Sequence, residues 1–149
     1  MTATALPRLV PVTPDGLLEW IGALAGETDP ARLIEAIEDL AHQHPGCATA
    51  EVVWTGAESG FAVRAGTSAR ADLALARAAM VRDSPLAAPD GCRIAVPLFE
   101  AAWQAADPAV LVVGTQSPAA ADGFVAATHI ALRAAGRVLH DALRAAQMR

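Results

Sequence analysis

The stretch from about Pro118 to Gln147 is a long alanine-rich run with the spacing of a single helix. Two apolar strand-like runs, Cys92–Phe99 and Ala109–Gly114, lead into it. A helix of this length exceeds what a small domain needs to close its core, so it reads as a connector or a dimer seam. Val125, Leu132, Leu139 and Ala146 recur at seven-residue spacing, with His129, Gly136 and Leu143 four residues behind the first three. That is a heptad-like stripe. Glycine in a helix interior costs about 1 kcal/mol relative to alanine, which makes sense at Gly136 if two helices approach closely there. The stripe predicts a homodimer seam through Val125, His129, Leu132, Gly136, Leu139 and Leu143. The alternative is that the same residues pack on the back of a sheet.

The rest of the composition bounds the chain. Its 149 residues fit one domain, with 1–14 as an irregular proline-containing arm and 15–149 as the domain. Hydrophobic residues make up 54% and charged residues 18%, which is globular composition. Aromatics are 4% with no tyrosine, too few for a base-stacking surface. The net charge is -5 and there is no lysine, which argues against nucleic acid and anionic membranes as partners. Two cysteines make no disulfide framework. No signal-peptide core or membrane-length apolar run occurs, so a cytoplasmic protein is expected.

Local signals place the elements. Asp15 opens an amphipathic helix with Leu17, Leu18, Ile21, Leu24 and Ala25 on one face, ended by Gly26. Asp29-Pro30 starts a second helix, with Leu33, Ile34, Ile37, Leu40 and Ala41 facing inward and Glu35, Glu38 and Asp39 facing out. Ala50–Thr55 and Phe61–Ala65, separated by a glycine-containing loop, read as a hairpin. A third helix runs over 68–83 with Leu73, Leu75, Ala76, Ala79 and Met80 as its apolar positions. Pro85, Pro89 and Asp90-Gly91 read as a loop, and Pro97 predicts an edge or bulged strand. Ala109–Gly114 is apolar enough for a central strand. A hairpin cannot be parallel, so the fold class is α+β: an antiparallel sheet, flanking helices on one face, and the middle helix and loops over the other. A pocket between sheet and middle helix is the natural ligand site.

The entry helix DPARLIEAIEDLA, the hairpin AEVVWTGAESGFAVRAG, the strands CRIAVPLFE and AVLVVGTQ, and the closing helix together resemble a GAF domain, PAS-related in fold. Such domains sense small molecules in bacterial signalling proteins. The resemblance implies an antiparallel sheet of about six elements, dimerising flanking helices and a pocket on the opposite face. It also implies an output partner, in cis or in trans: a histidine kinase, a diguanylate cyclase or a transcription regulator. The chain is then an excised sensor domain or a stand-alone one. Three family activities are disfavoured. The cyclic-nucleotide motif needs a lysine, bilin attachment needs a Cys-His pair, and sulfoxide reduction needs a cysteine cluster.

The ligand-binding candidates are Trp54, Arg64, Met80, Ser84, Cys92 and Trp103. Arg64, in FAVRA, is an anion anchor if its strand face lines the pocket and a surface charge otherwise. Trp54 and Trp103 wall a pocket or belong to the core, and Met80 and Ser84 would complete that wall. Cys92 stands before Arg93, whose charge would favour a thiolate. It is a redox candidate or a half-buried structural cysteine, and it could meet Cys47 only if the fold joins them. His42, His44 and Cys47 make a loose metal-like string that lacks a fourth ligand. His129 and His140, eleven residues apart, read as surface or seam histidines. No catalytic constellation, metal site or cofactor is expected, and the chain reads as a non-enzyme. The leading expectation is a ligand-binding sensor; the alternatives are a ligand-free dimerisation or docking module, and a redox sensor using Cys92.

Overall fold

A computed structural model describes residues 14–55, 70–105 and 107–148. The elements are α1 (Pro14–Ala25), α2 (Pro30–His42), β1 (Cys47–Trp54), α3 (Arg70–Arg82), β2 (Leu86–Ala87), β3 (Arg93–Pro97), a 3-10 turn at Ala101–Trp103, β4 (Ala109–Thr115) and α4 (Pro118–Gln147). The expected second hairpin strand, Phe61–Ala65, lies outside the described residues. The fold is α+β, with an antiparallel sheet in the order β1-β4-β3-β2.

Caps begin the two best-defined helices. Asp29 accepts from the Ala31 N–H at 3.0 Å with Pro30 at the first helical position. Ser117 does the same for α4, accepting from the Ala120 N–H at 3.1 Å ahead of Pro118. β4 is the central strand its apolar run predicts. β1 starts three residues earlier than expected, because pairing with β4 continues through Thr49↔Gly114 and Cys47↔Thr115. β2, read from the sequence as loop, pairs with β3 around the Asp90-Gly91 turn, where Gly91 has φ +74°.

Pro97 is not on an edge strand, since β3 lies between β4 and β2. The sheet tolerates it by position. The Leu98 N–H donates to the Ala109 carbonyl on β4, so strand alternation points the Pro97 nitrogen to the β2 side. β2 ends its pairing at Leu86↔Ala95 and never reaches Pro97.

Strand alternation divides the core into two layers. Val52, Trp54, Ile94, Val96, Leu98, Ala109, Leu111 and Val113 face α1, α2 and α4. Val53, Ala95, Val110 and Val112 face α3, whose Ala76 and Ala79 are fully buried against them. Among the described side chains of α1, Trp20 and Leu24 are buried, Ile21 is half-buried and Ala25 exposed, while Leu17 and Leu18 of the predicted face lie outside the described side chains. Trp20, absent from the predicted face, is its largest anchor. Glu38 is not a solvated charge either: it is half-buried and accepts from the Val52 N–H at 3.0 Å, tying α2 to β1.

α4 lies close on the sheet, and this corrects the seam expected through it. Leu132 and Leu139 are 0% exposed within one chain, and Gly136 is buried against the Leu98 backbone. These three cannot meet a second chain, because the chain's own sheet covers them. Val125, His129 and Leu143 are half-buried. The outward face of α4 presents Ile130, 78% exposed.

Candidate functional site

The C-terminal half of α4 crosses the end of β3 and the turn that follows it. Close approach at Gly136 brings His140, one turn later, onto the ring of Phe99. The His140 ring lies 5.2 Å from Phe99, edge-on at 78°, and 4.9 Å from Trp103. Phe99 also meets Trp54 edge-on at 6.3 Å and Trp103 at 5.8 Å. These edge and tilted geometries suit the ring quadrupoles. Trp54, Phe99 and Trp103 are half of the chain's tryptophan and phenylalanine, gathered at one place.

Beside the rings is a cavity of about 310 Å³. β1 contributes Trp54, the loop after β3 contributes Phe99, Trp103, Gln104, Ala105 and Asp107, and α4 contributes His140, Leu143, Arg144 and Gln147. Gln104 turns the backbone at φ +52° after the 3-10 turn. The loop is pinned from behind, where the Arg133 guanidinium donates to the Asp83 carbonyl at 3.0 Å and the Asp83 carboxylate accepts from the Ala101 N–H at 3.3 Å. Arg137 covers the Trp103 ring at 5.1 Å and pairs with Asp141 at 3.5 Å.

His140 is the polar member of this floor. It is 9% exposed, and its Nδ1 is buried without a hydrogen bond, 3.8 Å from the Asp141 carboxylate. Buried polar atoms are almost always paired, so this ring is held by packing and its polar edge goes unanswered by the described residues. The plain sequence reading of a surface or seam histidine is corrected: the Leu132, Gly136, Leu139 row carries it inward.

Of the sequence candidates, the structure brings together Trp54 and Trp103. Met80 packs on the opposite sheet face beneath α3, and Ser84 closes that helix through its N–H to the Ala79 carbonyl. Cys92 precedes β3 at the end away from Phe99. Arg64 lies outside the described residues. The contributions of Phe99, His140 and Arg144 were missed. A visible signal was available for His140, which stands one turn beyond Gly136 on the apolar side of α4.

The cysteines flank one residue without meeting. Cys47 pairs with Thr115 from β1, and the Cys92 carbonyl accepts from the Thr115 N–H and hydroxyl on the β3 side. Two interstrand spacings, about 9–10 Å, exceed the roughly 7 Å limit for a disulfide. Burial also pushes the Cys47 thiol up from its ordinary pKa, away from reactivity. Arg93, read as activating Cys92, pairs with Asp72 of α3 at 2.9 Å. His44 is occupied as well, accepting the Gly46 N–H at 3.2 Å and packing edge-on against Phe124 at 5.5 Å. Among the described residues no His, Cys, Asp and Glu cluster could hold a metal ion.

No family model, curated protein or solved structure matches this chain. Among the described residues no helix is long and apolar enough to cross a membrane.

Proposed function

We propose that this chain is a cytoplasmic GAF-type sensory domain. It binds a small molecule and signals through its terminal helices to an output domain in cis or a signalling protein in trans. The observation that carries this reading is the position of the cavity: His140, Leu143, Arg144 and Gln147 of α4 form one wall. A ligand there touches the end of the long helix directly, with no intervening relay. The α+β class, the antiparallel sheet and the capped closing helix support the resemblance to GAF domains.

The cleft differs in place from the pocket the resemblance implies, since it lies on the α4 side of the sheet and not under α3. Signalling then requires that the ligand prefer one arrangement of the α4 end over another. Homodimerisation, if it accompanies signalling, uses the outer face of α4 around Ile130, because the inner stripe is covered by the sheet.

Native mass spectrometry of the purified chain for a co-purified small molecule, with hydrogen exchange across residues 137–147 before and after its removal, tests the proposal. A bound molecule that slows exchange in that segment supports it. A bound molecule that leaves the segment unchanged overturns signalling through the α4 end, and a broad ligand screen with no shift in melting temperature overturns the reading in favour of a ligand-free interaction module.

A further inference from the structure

The cleft also specifies a class of ligand, an inference that rests on the sensor reading above. Its volume of about 310 Å³ is at the low end of ligand pockets, which run from roughly 300 to 1,000 Å³. A one- or two-ring molecule fits such a space and a dinucleotide does not. Its apolar wall is Trp54, Phe99, Trp103 and Leu143.

The charges at the rim decide the sign. Asp107 lines the cavity but has a partner of its own. Arg137 lies on Trp103 and pairs with Asp141. Arg144 lines the cavity and has no ion pair among the described residues. Although the chain's net charge is -5, a guanidinium without an ion pair beside a ring-lined cavity is the local group suited to an anion. His140 stands in the same wall, its buried Nδ1 without a hydrogen bond and 3.8 Å from the Asp141 carboxylate.

We propose that the cleft takes a small planar carboxylate, its ring against Trp54, Trp103 and Leu143 and its carboxylate on Arg144. The amides of Gln104 and Gln147 are the rim groups left to read substituents on that ring.

Calorimetric titration of the full chain with benzoate, benzamide and choline tests this. Benzoate is expected to bind saturably, with benzamide at least tenfold weaker. Arg144→Gln should weaken benzoate at least tenfold while leaving benzamide unaffected, and Trp103→Ala should weaken both; Trp103→Phe, which keeps a ring, should restore most of the binding. Added salt should weaken benzoate only. Failure of benzoate to bind, unchanged benzoate affinity in Arg144→Gln, or preferential binding of choline overturns the carboxylate assignment. Choline binding lost in Trp103→Ala would leave the sensor reading intact, whereas benzoate binding without slowed exchange over residues 137–147 would overturn the sensor reading alone.

Discussion

Gly136 of α4 lies so close to Leu98 that a Cβ added to the glycine would fall 2.6 Å from the Leu98 carbonyl carbon. The obstacle is backbone, held by the Leu98 N–H bond to Ala109, and cannot swing aside as a side chain would. The glycine is explained by a helix-to-strand contact within one chain. That contact also sets the height at which His140 meets Phe99.

Gly136→Ala should accordingly destabilise the fold despite alanine's better helix propensity. Overpacking typically costs about 1–3 kcal/mol, and a rigid backbone obstacle argues for the upper end. At roughly 2–4 °C per kcal/mol for a chain of this size, a fall of about 5–10 °C in melting temperature is expected. A rise in melting temperature would show that α4 does not sit on Leu98 as described.

The two sides of α4 should respond differently to substitution. Leu132→Ala removes a fully buried side chain and should cost about 2–5 kcal/mol in chemical denaturation. Ile130→Asp alters an exposed position and should change stability by less than about 0.5 kcal/mol. If copies associate through the outer face, sedimentation of Ile130→Asp should show the monomer at concentrations where the unaltered chain is dimeric. Equal sedimentation of the two would remove Ile130 from any such interface.

Glu38 makes a pH-dependent contribution whose sign follows from its surroundings. Burial raises its pKa, the bond from the Val52 N–H opposes this, and Glu51 adds to the rise. A carboxyl whose folded pKa is raised contributes stability that is fully present below its unfolded value and is lost as pH rises through the folded value. Glu38→Gln keeps an acceptor for Val52 and removes the charge. Its stability relative to the unaltered chain should therefore grow from about pH 4 to neutrality in urea titrations. Glu38→Ala removes the acceptor and should cost about 1–3 kcal/mol. A difference between the Gln variant and the parent that does not vary with pH would refute the assigned shift.

His140→Phe should stabilise the unliganded chain. The substitution keeps a ring between Phe99 and Trp103 and removes a buried nitrogen without a partner. Relief of such a group is worth about 1–3 kcal/mol. A lower melting temperature for this variant would mean that the imidazole is paired in solution.

Periodicity and punctuation determined much of the fold. α4 runs over the same Pro118 to Gln147 that its alanine-rich spacing marks, α2 begins at its Asp-Pro cap, and β4 is the central strand of its apolar run. These are local effects of capping, propensity and burial on both faces, written in neighbouring residues. What covers an apolar stripe is not written there. A sheet and a second helix demand the same spacing of Leu132, Gly136 and Leu139, and only the approach of Leu98 settles the choice. The site was hidden for the same reason. Trp54, Phe99 and Trp103 are far from His140 and Arg144 in sequence, and strand pairing together with the close seat of α4 brings them to one cleft. Glu38 looked like one charge on a solvated helix face until β1 placed an N–H beside it. Sequence decides which side of each element seeks cover; tertiary packing decides which atoms supply it, because those contacts join residues that no local pattern links.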